Sequence, residues 1–169
     1  LTNAVYFLGQ WAKRFDEART QDQVFYADGS REVTVPFMEQ TQSFRYAELD
    51  GGVKVLELSY VGDRLAMMIV LPGERDGLEA LEAGLDVARF RSWTNGFANK
   101  RVEVALPRFE VSPAASIRLK PVLSKMGMPL PFTKRADLTG IAGRDDPAQE
   151  LMIDNVYHKA FVQVNEEGT

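Results

Sequence analysis

The chain has 169 residues, 45% of them hydrophobic and 26% charged, the proportions of an ordinary globular domain. Its 20 basic and 24 acidic residues give a net charge of −4, with no basic excess to advertise nucleic acid and no charge run to suggest a tail. With no cysteine and a single histidine, His158, it excludes disulfides, thiolate metal sites, a cysteine nucleophile and any metal site built on several histidines.

Leu1 to Phe7 is apolar and β-prone, with neither a basic leader nor a small-residue cleavage site, and it starts in mid-strand without a methionine. Val33 to Met38 follows the Asp28-Gly29 turn signal and reads as a short strand. Val53 to Tyr60 and Leu65 to Leu71 flank Val61-Gly62-Asp63-Arg64, which predicts a hairpin. Leu65 to Leu71 is apolar at every position, as expected of a central strand covered on both faces.

Helical signals are fewer. Leu78 to Leu81 predicts a turn or two, and Asp86 to Phe97 a helix with Phe90, Trp93 and Phe97 at helical spacing. Arg101 to Leu106 alternates like a strand with one wet face, ended or bent at Pro107. Ser116 to Met126 predicts a further helix, which Pro121 would bend if it lay in the interior. Gly140 to Gln149 is polar and reads as an exposed connection, and Leu151 to Val164 as a last, long strand. Phe15, Phe25, Phe37, Phe109 and Phe132 read as core. No stretch approaches the roughly 18 apolar residues of a membrane span, and no repeat, linker or domain boundary is evident. The long first and last strands call for a large sheet whose covering helices are not in the sequence, so the chain reads as a fragment.

Six segments, in order, resemble the serpins, inhibitors that trap proteases by inserting a strand. Thr2 to Trp11 with Phe15 is similar to strand three of the family's large sheet A. Leu56 to Tyr60 through Met68 to Pro72 resembles strands two and three of sheet B, and Val102 to Phe109 the step from sheet C into strand six of sheet A. Ala136-Asp137-Leu138-Thr139-Gly140 is close to the family's Ala-Asp-Leu-Ser-Gly, and His158 to Thr169 matches strand five and the hinge of the reactive loop. The departures are mild: Leu8 stands where a basic residue is common, and Thr139 where the family has serine.

The resemblance implies an α+β, multi-sheet serpin fold, of which residues 1–169 are one part of a single domain, mainly β with a few short helices. The N-terminal helical half, the reactive loop and the last strands would lie outside it. It further implies a serine or cysteine protease as partner, no cofactor or metal, neither nucleic acid nor membrane, and a monomer when complete; family members occur both secreted and inside cells, and an extracellular location is expected over a cytoplasmic one.

By the same resemblance, Glu166, Glu167, Gly168 and Thr169 would form the hinge. Taken alone, Glu-Glu-Gly-Thr is an exposed polar turn; after an apolar strand it reads as the point where a loop enters the sheet. Thr169 would be the first inserted side chain, small and β-branched, where a buried charge would cost several kcal/mol. Gly168 would let the chain swivel. Glu166 would pair with Arg108 at the "breach", or else be a solvated glutamate, such exposed pairs contributing about 1 kcal/mol or less. Trp11 would lie under the breach, its indole N–H seeking an acceptor or its ring simply packing in the core. Asn3 and His158 would be the "shutter" where strands three and five part, with His158 bonded to Asn3 or to backbone in one state and re-paired in the other.

Thr169 favours an inhibitor over a non-inhibitory serpin-fold protein acting as chaperone, carrier or storage protein. A hydrolase triad finds no support, because the one histidine lies inside a strand beside Lys159 and Asp145-Asp146 falls in a polar connection.

Overall fold

One long strand organises the sheet structure in the computed structural model, which describes residues 5–27, 30–142 and 151–169. β1 (Gln21–Ala27) pairs antiparallel with the first part of β2 (Arg31–Glu48), and β3 (Lys54–Ser59) with its last part, Arg45 to Glu48. β4 (Ala66–Leu71) extends the sheet from β3. After two helices, α1 (Leu78–Ala83) and α2 (Val87–Asn95), β5 (Ala98–Pro107) takes the opposite edge of β2 from Phe37 to Tyr46. Only the start of β2 was legible as a strand. Its polar stretch Glu39 to Ser43 hides an alternation that buries Met38, Gln40 and Phe44, and the Gln40 amide is satisfied by donating to the Lys13 carbonyl at 3.1 Å.

The described residues group into two compact units, one drawn from Leu1–Glu110 with Gln163–Thr169, the other from Val111–Val162. In the first, the sheet separates two apolar clusters. Trp11, Phe15, Met38, Phe44, Leu58, Tyr60, Val104 and Val164 form one, and Val55 with Trp93 of α2 lies at the centre of the other. Period-2 alternation divides β4 between them: Met67 and Ile69 pack on the first cluster, Met68 and Val70 on the second. Its both-faced apolarity therefore has a cause, but β4 ends the strand path and is half-buried, not central, among the described residues. Asp86 caps α2, its carboxylate accepting from the Arg89 N–H at 2.7 Å.

β6 (Phe109–Val111) follows β5 after Arg108. The second unit then carries β7 (Ile117–Arg118), α3 (Lys120–Lys125), α4 (Thr139–Ala142) and β8 (Tyr157–His158), which pairs with β7. β9 (Val162–Val164) pairs with β6. α3 begins at Lys120, not Ser116, which leaves Pro121 in the first turn, where its missing N–H costs nothing. Gly127, with φ of 97°, ends that helix in the left-handed region.

Several expectations need correction. The predicted strand Leu151 to Val164 is two short ones, because only Tyr157–His158 and Val162–Val164 find ladder partners. Of the predicted strand Leu1 to Phe7, the first four residues lie outside the described ones, and Val5 to Phe7 are exposed and form no strand. Asp28-Gly29 and most of the polar connection also lie outside. Phe25 and Phe109 are 43% and 38% exposed rather than core, whereas Phe15 and Phe132 are buried.

Met38 is fully buried at the sheet centre, so Met38→Ala should lower stability by about 2–5 kcal/mol, read from the urea midpoint. In the Ala-Asp-Leu-Thr-Gly motif, the Thr139 hydroxyl and N–H donate to Asp137 Oδ1 at 2.7 and 3.2 Å, a role serine would fill equally. Those bonds hold the Asp137 carboxyl below its ordinary 3.8. Their benefit is present above that value and fades as pH falls through the lowered one. NMR titration should give a midpoint below 3.8 that rises in Thr139→Val.

Candidate functional site

The chain reverses direction immediately after β9. Asn165 Oδ1 accepts from the backbone N–H groups of Glu167 and Gly168 at 3.0 and 3.1 Å, the local closure called an Asx turn. The Asn165 N–H donates to the Gly168 carbonyl at 3.0 Å and completes the turn.

Beyond it, Glu167 to Thr169 run antiparallel to Gly9 to Trp11. Gly9 N–H donates to the Thr169 carbonyl and Thr169 N–H to the Gly9 carbonyl, both at 2.8 Å, and Trp11 N–H donates to the Glu167 carbonyl at 2.8 Å. Gln10 and Gly168 face each other between these bonds. The opposite edge of the same segment is also occupied: Val61 N–H donates to the Gln10 carbonyl at 2.8 Å and Ala12 N–H to the Ser59 carbonyl at 2.9 Å. Gly9 to Ala12 thus joins Glu167–Thr169 to the end of β3 as a strand would, alternating its bonds between two neighbours.

Gly168 is required here for a reason other than swivelling. A Cβ on it would sit 1.8 Å from the Gly9 carbonyl oxygen, so the two backbones meet at a distance only glycine permits. A Cβ on Gly9 would meet the Tyr60 ring at 2.5 Å.

Trp11, 2% exposed, stacks on Tyr60 with ring centroids 4.8 Å apart and planes within 11°. Its indole N–H donates to the Asn165 carbonyl at 2.8 Å. Both readings of Trp11 therefore apply at once: it packs in the core and it finds an acceptor, on the residue that forms the turn.

Glu166 is buried, 5% exposed, and its environment is not that of a solvated glutamate. Oε1 accepts from the Thr20 hydroxyl at 2.7 Å, while Arg108 Nη1 stands 3.7 Å from the same oxygen with its side chain half exposed. The expected ion pair is present, but the shorter contact comes from Thr20, the residue that ends the 3₁₀ turn Glu17–Arg19. Backbone bonds fix both ends: Phe15 N–H donates to the Glu166 carbonyl at 3.1 Å and Arg108 N–H to the Pro36 carbonyl at 2.8 Å. Glu167 is exposed. The Thr169 hydroxyl is buried without a hydrogen-bond partner among the described residues.

The structure brings together Trp11, Arg108, Glu166, Gly168 and Thr169 from distant parts of the sequence. Of the two residues expected at the shutter, Asn3 lies outside the described residues, and His158 is an exposed residue of β8 opposite Ile117. Asn165, Thr20, Tyr60 and Gly9 were not singled out. For Asn165 a signal existed, since Asn followed three residues later by Gly is turn chemistry; for Thr20, 146 residues from its partner, none did.

Among the described residues no three His, Asp or Glu side chains gather as a metal site would need. The site's resources are backbone hydrogen bonding, two glycines and a buried carboxylate, which suit the pairing of strands.

A family model described as "Serpin (serine protease inhibitor)" matches residues 1–169. Human Serpin B3 is 40% identical over 99% of this chain and 42% of its own length. Neuroserpin from Gallus gallus is 38% identical over the whole chain and again 42% of its own length, so the chain spans about two fifths of these relatives. Among solved structures, ovalbumin from emu (Dromaius novaehollandiae) superposes with a TM-score of 0.86 at 31% identity, over 95% of this chain and 41% of that one.

Replacing Thr20 by Val removes the closest donor to a buried carboxylate while keeping side-chain volume. Unfolding should register a loss of about 1–3 kcal/mol, larger than that for Arg108→Met, whose exposed pair is worth about 1 kcal/mol or less.

Proposed function

Because the chain belongs to the serpin family, we propose that it is part of a protease inhibitor that acts by suicide-substrate trapping, with a cleaved loop continuing from Thr169 and inserting as a strand into the family's sheet A. The observation that carries this reading is the direction of the last residues. Glu167 to Thr169 run antiparallel to Gly9 to Trp11, the orientation in which a loop continuing from Thr169 would extend down the same edge.

The proposed chemistry belongs to the protease. Its serine or cysteine side chain attacks a loop carbonyl, the peptide bond breaks, the new amine leaves, and an ester or thioester ties loop to enzyme. Water would normally hydrolyse that acyl-enzyme. Strand insertion carries the protease away with the loop and distorts its active site before hydrolysis is complete. The inserted strand gains a ladder of backbone hydrogen bonds, each worth about 0.5–1.5 kcal/mol net, plus the burial of alternate side chains.

The residues of this chain act in the mechanical step. Gly168 permits the close approach to Gly9, Glu166 and Trp11 fix the place of entry, and Thr169, small enough to lie beside Gly9, begins the inserting strand. A charged side chain at 169 would have to be buried at a cost of several kcal/mol. That cost would slow insertion without impeding cleavage.

The complete protein, incubated with trypsin-, chymotrypsin- and subtilisin-like proteases, should form with at least one of them a covalent complex that survives denaturant. Thr169→Arg should lower its yield about tenfold or more while the loop is still cut. Cleavage of the loop alone should raise the melting temperature markedly. If every protease cuts and departs, and cleavage leaves the melting temperature where it was, the inhibitory reading fails and a carrier, chaperone or storage role takes its place.

A further inference from the structure

We infer that Asn165 is a positioning residue for strand insertion: its carboxamide holds the reversed turn from which an inserting strand departs, an inference that rests on the inhibitory reading above. Asn165 makes four contacts to three parts of the site. Its side-chain oxygen accepts from Glu167 and Gly168 N–H at 3.0 and 3.1 Å. Its backbone N–H donates to the Gly168 carbonyl at 3.0 Å, and its carbonyl accepts the Trp11 indole N–H at 2.8 Å.

The geometry explains why a side-chain acceptor is needed at this position. The carbonyls of Glu167 and Thr169 accept from Gly9 to Trp11, whereas the N–H groups of Glu167 and Gly168 point back into the turn. Gly168 is buried, so water is a poor substitute for the acceptor of its N–H. Both groups reaching the carboxamide are donors, which requires its oxygen, not its nitrogen, to face them. An aspartate would offer the same acceptor; an alanine would offer none.

Deleting the acceptor acts on the turn and leaves the Gly9–Gly168 approach and the Glu166 contacts in place. A loop that begins its insertion from an unformed turn must pay the entropy of closing it while the acyl-enzyme waits. Insertion and hydrolysis compete at that point, so a slower insertion appears as more inhibitor cut per protease trapped.

The test uses the complete protein with a protease that the wild type traps. The molar ratio of inhibitor consumed to complex formed is measured for wild type, Asn165→Ala and Asn165→Asp, with the melting temperature of each uncut protein. Asn165→Ala should slow insertion roughly tenfold and raise the ratio several-fold, and Asn165→Asp should stay near wild type. A ratio in Asn165→Ala equal to wild type overturns the inference, as does an equal rise in both variants. A fall in the melting temperature of Asn165→Ala with no change in ratio assigns Asn165 to folded-state stability alone, and so also overturns it. If the wild type traps no protease, it is the inhibitory reading that falls.

Discussion

The site depends on the approach of two backbones at Gly9 and Gly168. With a Cβ only 1.8 Å from the facing carbonyl oxygen, no other residue fits at 168 without displacing main chain. That approach allows the paired bonds between Gly9 and Thr169, and it sets Trp11 at the height where its indole reaches the Asn165 carbonyl. The Tyr60 ring closes the other side, stacked on Trp11 and too near Gly9 for a methyl group. Small residues at the contact and large flat ones around it form one device: the glycines let the strands meet, and the aromatics keep water from their hydrogen bonds.

Glu166 shows how a charge is kept in such a place. A buried carboxylate is tolerated only when its oxygens are bonded, and one donor here is a neutral hydroxyl 2.7 Å away. The guanidinium of Arg108, half in solvent, adds a longer and screened attraction to the same oxygen. The hydroxyl therefore sets the position of the carboxylate, and the arginine supplies charge without tight geometry. The family resemblance implied Arg108 as the partner and passed over Thr20, although the hydroxyl makes the shorter bond.

Local chemistry was legible along the chain, and long-range pairing much less so. The β3–β4 hairpin and the α2 helix with Trp93 carried their signals in a few adjacent residues, whereas Trp11, Arg108 and Glu166 were singled out only through the family resemblance. β2 was read at a third of its length, because its polar middle is buried only where β5 covers one edge and Lys13 supplies an acceptor. The final apolar stretch was overread: Lys159-Ala160-Phe161 has strand composition but no ladder partner among the described residues, and β-propensity without a neighbour makes no strand. Phe25 and Phe109 were assigned to the core by residue type alone, although aromatic rings also line exposed strand faces.

The partners of the C-terminal segment lie far from it in sequence. Trp11 and Asn165 are 154 residues apart, and Thr20 and Glu166 are 146 apart, whereas β3 and β4 are joined by a short turn. Contacts that close the longest loops form after local ones, since chain entropy must be spent before they return anything. By that reasoning the ladder between Gly9–Trp11 and Glu167–Thr169 should form after the sheet around β2, an order that pulse-labelled hydrogen exchange would read directly. By the same topology, the segment that closes last can also open while the sheet behind it stays folded.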